Sequence, residues 1–151
     1  MKKNIAIEII CLLFILLFVY AAVNKLMDME KFRVQLQQSP MLTAIAGWVM
    51  WIVPMLEIII AVLLSLSRFR QVALYASYTL MVIFTSYIIA ILNFSEYIPC
   101  SCGGVLSRLG WNEHLVFNIA FVMLAIAGST LQAKQQIESK NAIIMATPPG
   151  N

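Results

Sequence analysis

The chain has 151 residues, of which 62% are hydrophobic and 11% charged, with a formal net charge of +3. Soluble domains run at roughly 45–50% apolar, so this composition excludes an ordinary soluble domain. A small charge without a basic stripe excludes a nucleic-acid-binding protein, and three cysteines are too few for a disulfide scaffold.

The first apolar run is Ile5 to Val23, preceded by Lys2 and Lys3. Val19-Tyr20-Ala21 mimics a signal-peptidase site. The run exceeds the usual signal-peptide core of about 7–15 residues, so a retained span is expected. Cys11 lies inside it and reads as a small hydrophobe, and Glu8 near its start can snorkel to the membrane surface. The loop Asn24 to Met41 follows, with Leu26, Met29, Phe32 and Leu36 at helical spacing, which predicts a short interfacial helix.

The second run, Leu42 to Leu66, contains the costliest residue of the chain, Glu57. Counted from Thr43 it lies 14 residues into the helix, about 21 Å along the axis and well inside the hydrocarbon layer. An intramembrane carboxyl is a functional-site hypothesis by default. Glu57 could relay a proton or hydrogen-bond a quinone-like ring. Alternatively it is a packing carboxyl bonded to Thr85, Ser86 or Tyr87 of the next helix. Pro54, one turn earlier, frees a backbone carbonyl.

The connection Ser67 to Gln71 is too short for anything but an antiparallel hairpin into the third run, Val72 to Leu92. A polar loop, Asn93 to Glu113, leads to the fourth run, Leu115 to Leu131, whose helix takes in Trp111 to His114 with Asn112 as a fair N-cap. Each run approaches the roughly 20 residues that cross a bilayer core as a helix, and in lipid the backbone must satisfy itself. The expected fold is an all-α membrane protein, an up-down four-transmembrane-helix bundle with an interfacial helix in the first outer loop. Residues 1–131 form the membrane domain, and 132–151 a polar, partly disordered cytoplasmic tail.

Lys2, Lys3, Arg68, Arg70, Lys134 and Lys140 fall on one side, and Lys25, Lys31, Arg33 and Arg108 on the other. This 6-to-4 excess puts both termini in the cytoplasm. Trp48, Trp51 and Trp111 then form an aromatic belt near the outer face. The Asn93–Glu113 loop is expected outside, in an oxidising compartment if the host is a bacterium.

That loop carries Pro99-Cys100-Ser101-Cys102-Gly103-Gly104. A disulfide across one intervening residue has little slack, and a strained bond is easily reduced, which suits exchange better than structure. A helix start near Gly104, with Arg108, would favour a Cys102 thiolate. A soft-metal site built from Cys100, Cys102 and His114 is the chemical alternative, though nothing in the spacing demands a metal. His114 and Asn118 share a helix face. His114 either carries protons for thiol exchange or only anchors its helix at the interface. One histidine excludes a bis-histidine haem within a single chain, and the chain lacks a glycine-rich phosphate loop and a nucleophile elbow.

Asn24-Lys25-Leu26 through Phe32, followed by Pro54-Met55-Leu56-Glu57, resembles the DoxX-like membrane family. Cys100-Ser101-Cys102-Gly103-Gly104, with Gly110-Trp111 and His114 to Asn118, resembles its MauE branch. The likeness covers about Val19 to Gly128, and Ala22 departs from a frequent family glycine. It implies a redox protein of the bacterial cytoplasmic membrane, supporting disulfide formation in exported proteins beside a thioredoxin-like partner, with quinone coupling among its relatives. On that basis Cys102 is the expected nucleophile, Cys100 the resolving thiol, His114 a proton carrier and Glu57 a proton or quinone site. A copper-binding protein and a non-catalytic assembly subunit are the alternatives. Homo- or hetero-oligomerisation, the direction of electron flow and the terminal acceptor stay open.

Overall fold

A computed structural model describes residues 5–38, 43–94 and 111–146. They form five helices: α1 (Ile5–Met27), α2 (Met29–Gln38), α3 (Ala46–Ser65), α4 (Arg70–Phe94) and α5 (Trp111–Ala146), with no strand among the described residues. Four of them are long and apolar enough to cross a membrane, and the exception is the ten-residue α2.

The buried side chains follow helical stripes. On α1 they are Ile7, Ile10, Cys11, Phe14, Phe18 and Ala22, and on α3 Pro54, Glu57, Ile60, Ala61 and Leu64. Such spacing keeps one face of each helix on its neighbour. α1 packs chiefly on α3 and α4 on α5, while α3–α4 and α1–α5 contacts close the ring. Phe14 lies at the centre, its ring 5.7 Å from that of Phe18 and edge-on to Phe121 at 5.3 Å. Cys11 is a free thiol packed among these residues.

The outward faces are the greasy ones. Leu12, Leu16, Ile59, Val62, Ile83 and Met123 are exposed, while Glu57, Ser77, Asn118 and Ser129 are buried. Apolar side chains outside and polar ones inside suit lipid as the surrounding solvent. The buried hydroxyls turn back on their own helices, Ser77 donating to the Ala73 carbonyl at 2.8 Å and Ser129 to that of Ile126 at 2.9 Å.

Gly128 is a point of close approach between α5, α1 and α4. A Cβ there would stand 3.0 Å from Ile10 Cγ2 and 3.3 Å from Leu74 Cδ2, so two helices would have to give way. Gly128→Leu is therefore expected to lower unfolding stability in detergent by about 1–3 kcal/mol through overpacking. Ala127→Leu, on the exposed side of the same turn, should change it little. Denaturant titration of the two variants checks this.

The ends of the helices differ from the apolar runs. α1 continues to Met27 rather than stopping at Val23, and only Asp28 separates it from α2. Backbone hydrogen bonds from Asp28 N to Asn24 O (3.2 Å) and from Phe32 N to Asp28 O (2.9 Å) carry the helical pattern across that residue. α3 begins at Ala46, three residues after Thr43. α5 places Asn112 inside its first turn and runs to Ala146, about 54 Å of helix against a bilayer core of about 30 Å. The expected interfacial helix is α2: Phe32 and Leu36 are buried against Ala46, Val49 and Met50 of α3. Trp48 and Trp51 are exposed at the same end.

Candidate functional site

Three inward stripes run out of hydrocarbon at the α2 end of the bundle. On α1, Phe14, Phe18 and Ala22 lead to Lys25. On α3, Leu64, Ala61 and Ile60 lead to Glu57, and on α5, Gly128, Ala125, Phe121 and Asn118 lead to His114. α1 runs antiparallel to both, so the three polar residues arrive at one level of the fold.

Lys25 Nζ donates to Glu57 Oε1 at 2.6 Å. The Glu57 side chain is 0% exposed and that of Lys25 13%. Helical side chains lean toward their own N-terminus. Lys25 therefore leans down into the bundle and Glu57 leans up toward the α2 end. This closes the gap between a residue at the end of α1 and one eleven residues, about 16 Å, from the start of α3. The Lys25 ammonium also stands over two rings, Phe32 of α2 at 5.9 Å and Phe84 of α4 at 5.6 Å from their centroids. Lys25 thus reaches α2, α3 and α4 at once.

The second carboxylate oxygen, Glu57 Oε2, is buried without a hydrogen-bond partner among the described residues. Pro54 lies one turn before it and is buried within an unbroken α3. His114 is half-buried and within electrostatic range of Lys25. Asn118 is buried beneath it and donates to the His114 carbonyl at 2.9 Å, which fixes that turn of α5.

Glu57 and His114, both singled out from the sequence, thus lie at one end of the bundle. Two of the α4 hydroxyls considered above do not face Glu57: Thr85 donates to the Met81 carbonyl of its own helix at 2.7 Å, and Ser86 is exposed. The partner is Lys25, which the hydropathy pattern assigns to a loop. Its signal was nonetheless there, because Lys25 extends the Phe14–Phe18–Ala22 stripe by one more helical step and is opposite in sign to the lone charge of α3.

Cys100 and Cys102 lie outside the described residues, as do Pro99, Gly103, Gly104 and Arg108. The helix ends that flank them, Phe94 and Trp111, belong to the α2 end of the bundle. Among the described residues no group of three or more His, Cys, Asp or Glu could hold a metal ion.

A family model described as methylamine utilisation protein MauE matches residues 3–131. No curated protein and no solved structure matches the chain.

Proposed function

The chain belongs to the methylamine utilisation protein MauE family, and from that premise we propose that it is an integral membrane thiol–disulfide redox protein serving an exported, thioredoxin-like partner. It sits in the bacterial cytoplasmic membrane with both termini inside and the Cys100–Cys102 segment outside, following the bias of its Lys and Arg residues. In the exchange, a thiolate of the partner attacks the Cys100–Cys102 disulfide, a mixed disulfide forms, and the second partner thiol resolves it. The partner leaves as a disulfide and this chain as a dithiol, with two electrons and two protons moved. In the reverse direction the same atoms reduce the partner. Reoxidation of the dithiol needs a two-electron acceptor of the quinone class, which is reduced to the quinol. In that reverse direction Cys102 is the nucleophile and Cys100 the resolving thiol; in both directions His114 assists proton movement and Glu57 serves the intramembrane proton or quinone site.

One observation carries this proposal: two cysteines one residue apart, bracketed by Pro99 and Gly103-Gly104 in a chain otherwise almost free of reactive groups. It is supported by the buried Lys25–Glu57 pair at the bundle end to which the flanking helix ends belong.

Mass-tag alkylation of native membranes before and after reduction tests the proposal. The expected result is two tags gained on reduction in the wild type, none gained in Cys100→Ser, and a midpoint well above about −300 mV, the region of inert structural bonds. Thiols that stay reduced and react only after a chelator is added would replace exchange by soft-metal binding. Thiols alkylated freely throughout would leave a non-catalytic assembly role.

A further inference from the structure

Glu57 is the sole charged residue of α3, and α4 carries no charge after Arg70 and brings Phe84 to this end. α2 brings Phe32, while its own Glu30, Lys31 and Arg33 are exposed. Among the described residues, the charged groups brought here are Lys25 of α1, which pairs with Glu57, and His114 of α5, within electrostatic range of Lys25, while Tyr87 is the titratable group of α4 one turn beyond Phe84. Among the described residues one carboxyl, one amine and one imidazole are gathered in an apolar bundle, and the second carboxylate oxygen of Glu57 is buried without a hydrogen-bond donor. A buried oxygen in that state is costly. A proton placed on it satisfies the chemistry that nothing else among the described residues satisfies.

We propose that Lys25, Glu57 and His114 form one proton-holding site, in which Glu57 Oε2 takes the proton and Lys25 is the positioning residue that fixes the carboxylate. The idea builds on the redox proposal above, because dithiol oxidation releases protons that must be held, and it adds Lys25 to the site. The step moves no electrons. An O–H bond forms at Oε2, the donor loses its proton, and the hydrogen bond from Lys25 to Oε1 changes from ammonium–carboxylate to ammonium–carboxyl. The summed charge of the three groups rises by one. Because like charges in a low-dielectric site oppose each other, a second proton on His114 is disfavoured while the first is held. When an acceptor takes the proton, the ammonium–carboxylate pair of Lys25 and Glu57 re-forms. Lys25 itself is kept in place by the faces of Phe32 and Phe84.

Infrared spectroscopy of the full chain in liposomes tests this, using Glu57→Gln to identify the protonated-carboxyl C=O stretch of Glu57. At neutral pH the wild type should lack that band and Lys25→Met should show it. Lys25→Met/Glu57→Gln should lack it again, and Lys25→Arg should behave as the wild type. If Lys25→Met does not fold, acidification of the wild type decides the matter. The Glu57 band should then appear reversibly in the wild type and stay absent from Glu57→Gln. A folded Lys25→Met without the band, or a wild type in which acidification never brings up the Glu57 band, would overturn the proposal and leave an ion pair that only packs. These readouts involve no thiol, so a failed alkylation test removes the redox role and leaves the proton site standing. Absence of the band does the reverse.

Discussion

Lys25→Met is expected to cost about 3–5 kcal/mol of unfolding free energy, the usual penalty for removing one partner of a buried pair. The stranded group is Glu57, which is fully buried and cannot reach water. Its charge can be relieved only by taking up a proton on folding, so the loss should grow as pH rises, since the folded state then binds a proton that the unfolded state has released. Glu57→Leu strands Lys25 instead. That side chain is 13% exposed near the end of its helix and can extend toward the interface, so the loss should fall at the lower end of the range and depend little on pH. The double variant Lys25→Met/Glu57→Leu, with no charge left to bury, should recover most of the stability, within about 1 kcal/mol of wild type. Denaturant unfolding of the four proteins in one detergent, at two pH values, completes the cycle. Additive single losses would mean that the 2.6 Å contact contributes nothing as a pair.

Phe14→Ala should be as damaging for a different reason. Phe14 is 0% exposed and its ring meets Phe18 at 5.7 Å and Phe121 at 5.3 Å, joining α1 to α5. Within lipid there is little hydrophobic gain in bringing helices together, because the tails are as apolar as the side chains. Association rests on close packing, and a cavity forfeits it. A loss of about 3–5 kcal/mol is expected for Phe14→Ala. Leu16→Ala removes a side chain that is 59% exposed, so lipid can fill the space, and little change is expected. The pair of variants, unfolded in the same detergent, separates helix packing from bulk hydrophobicity. Similar losses at both positions would argue against the inward assignment of the α1 stripe.

The spans were legible because membrane solvent writes them in composition. A run such as Val72 to Leu92 has only one low-energy conformation in hydrocarbon. Helix ends were less legible. Hydropathy falls at Asn24, yet α1 continues through Lys25 to Met27, since backbone hydrogen bonding does not require apolar side chains. Glu57 stood out because a carboxyl deep in an apolar run is expensive whatever surrounds it. His114 and the Cys100–Cys102 pair stood out as rare, reactive types in a chain that has few.

The sequence by itself determined a four-span helical membrane protein, the short helix after the first span, and the identities of Glu57 and His114 as residues to watch. It could do so because burial cost and helical period are local properties of a run. Only the tertiary structure decided that Glu57 pairs with Lys25 across 32 positions of chain, that His114 comes within electrostatic range of Lys25, and that Gly128 is where α5 closes on Ile10 and Leu74. Those facts depend on how far each helix slides and rotates against its neighbours. That register is set by the packing of Phe14, Phe18 and Phe121 together, and no single run contains it.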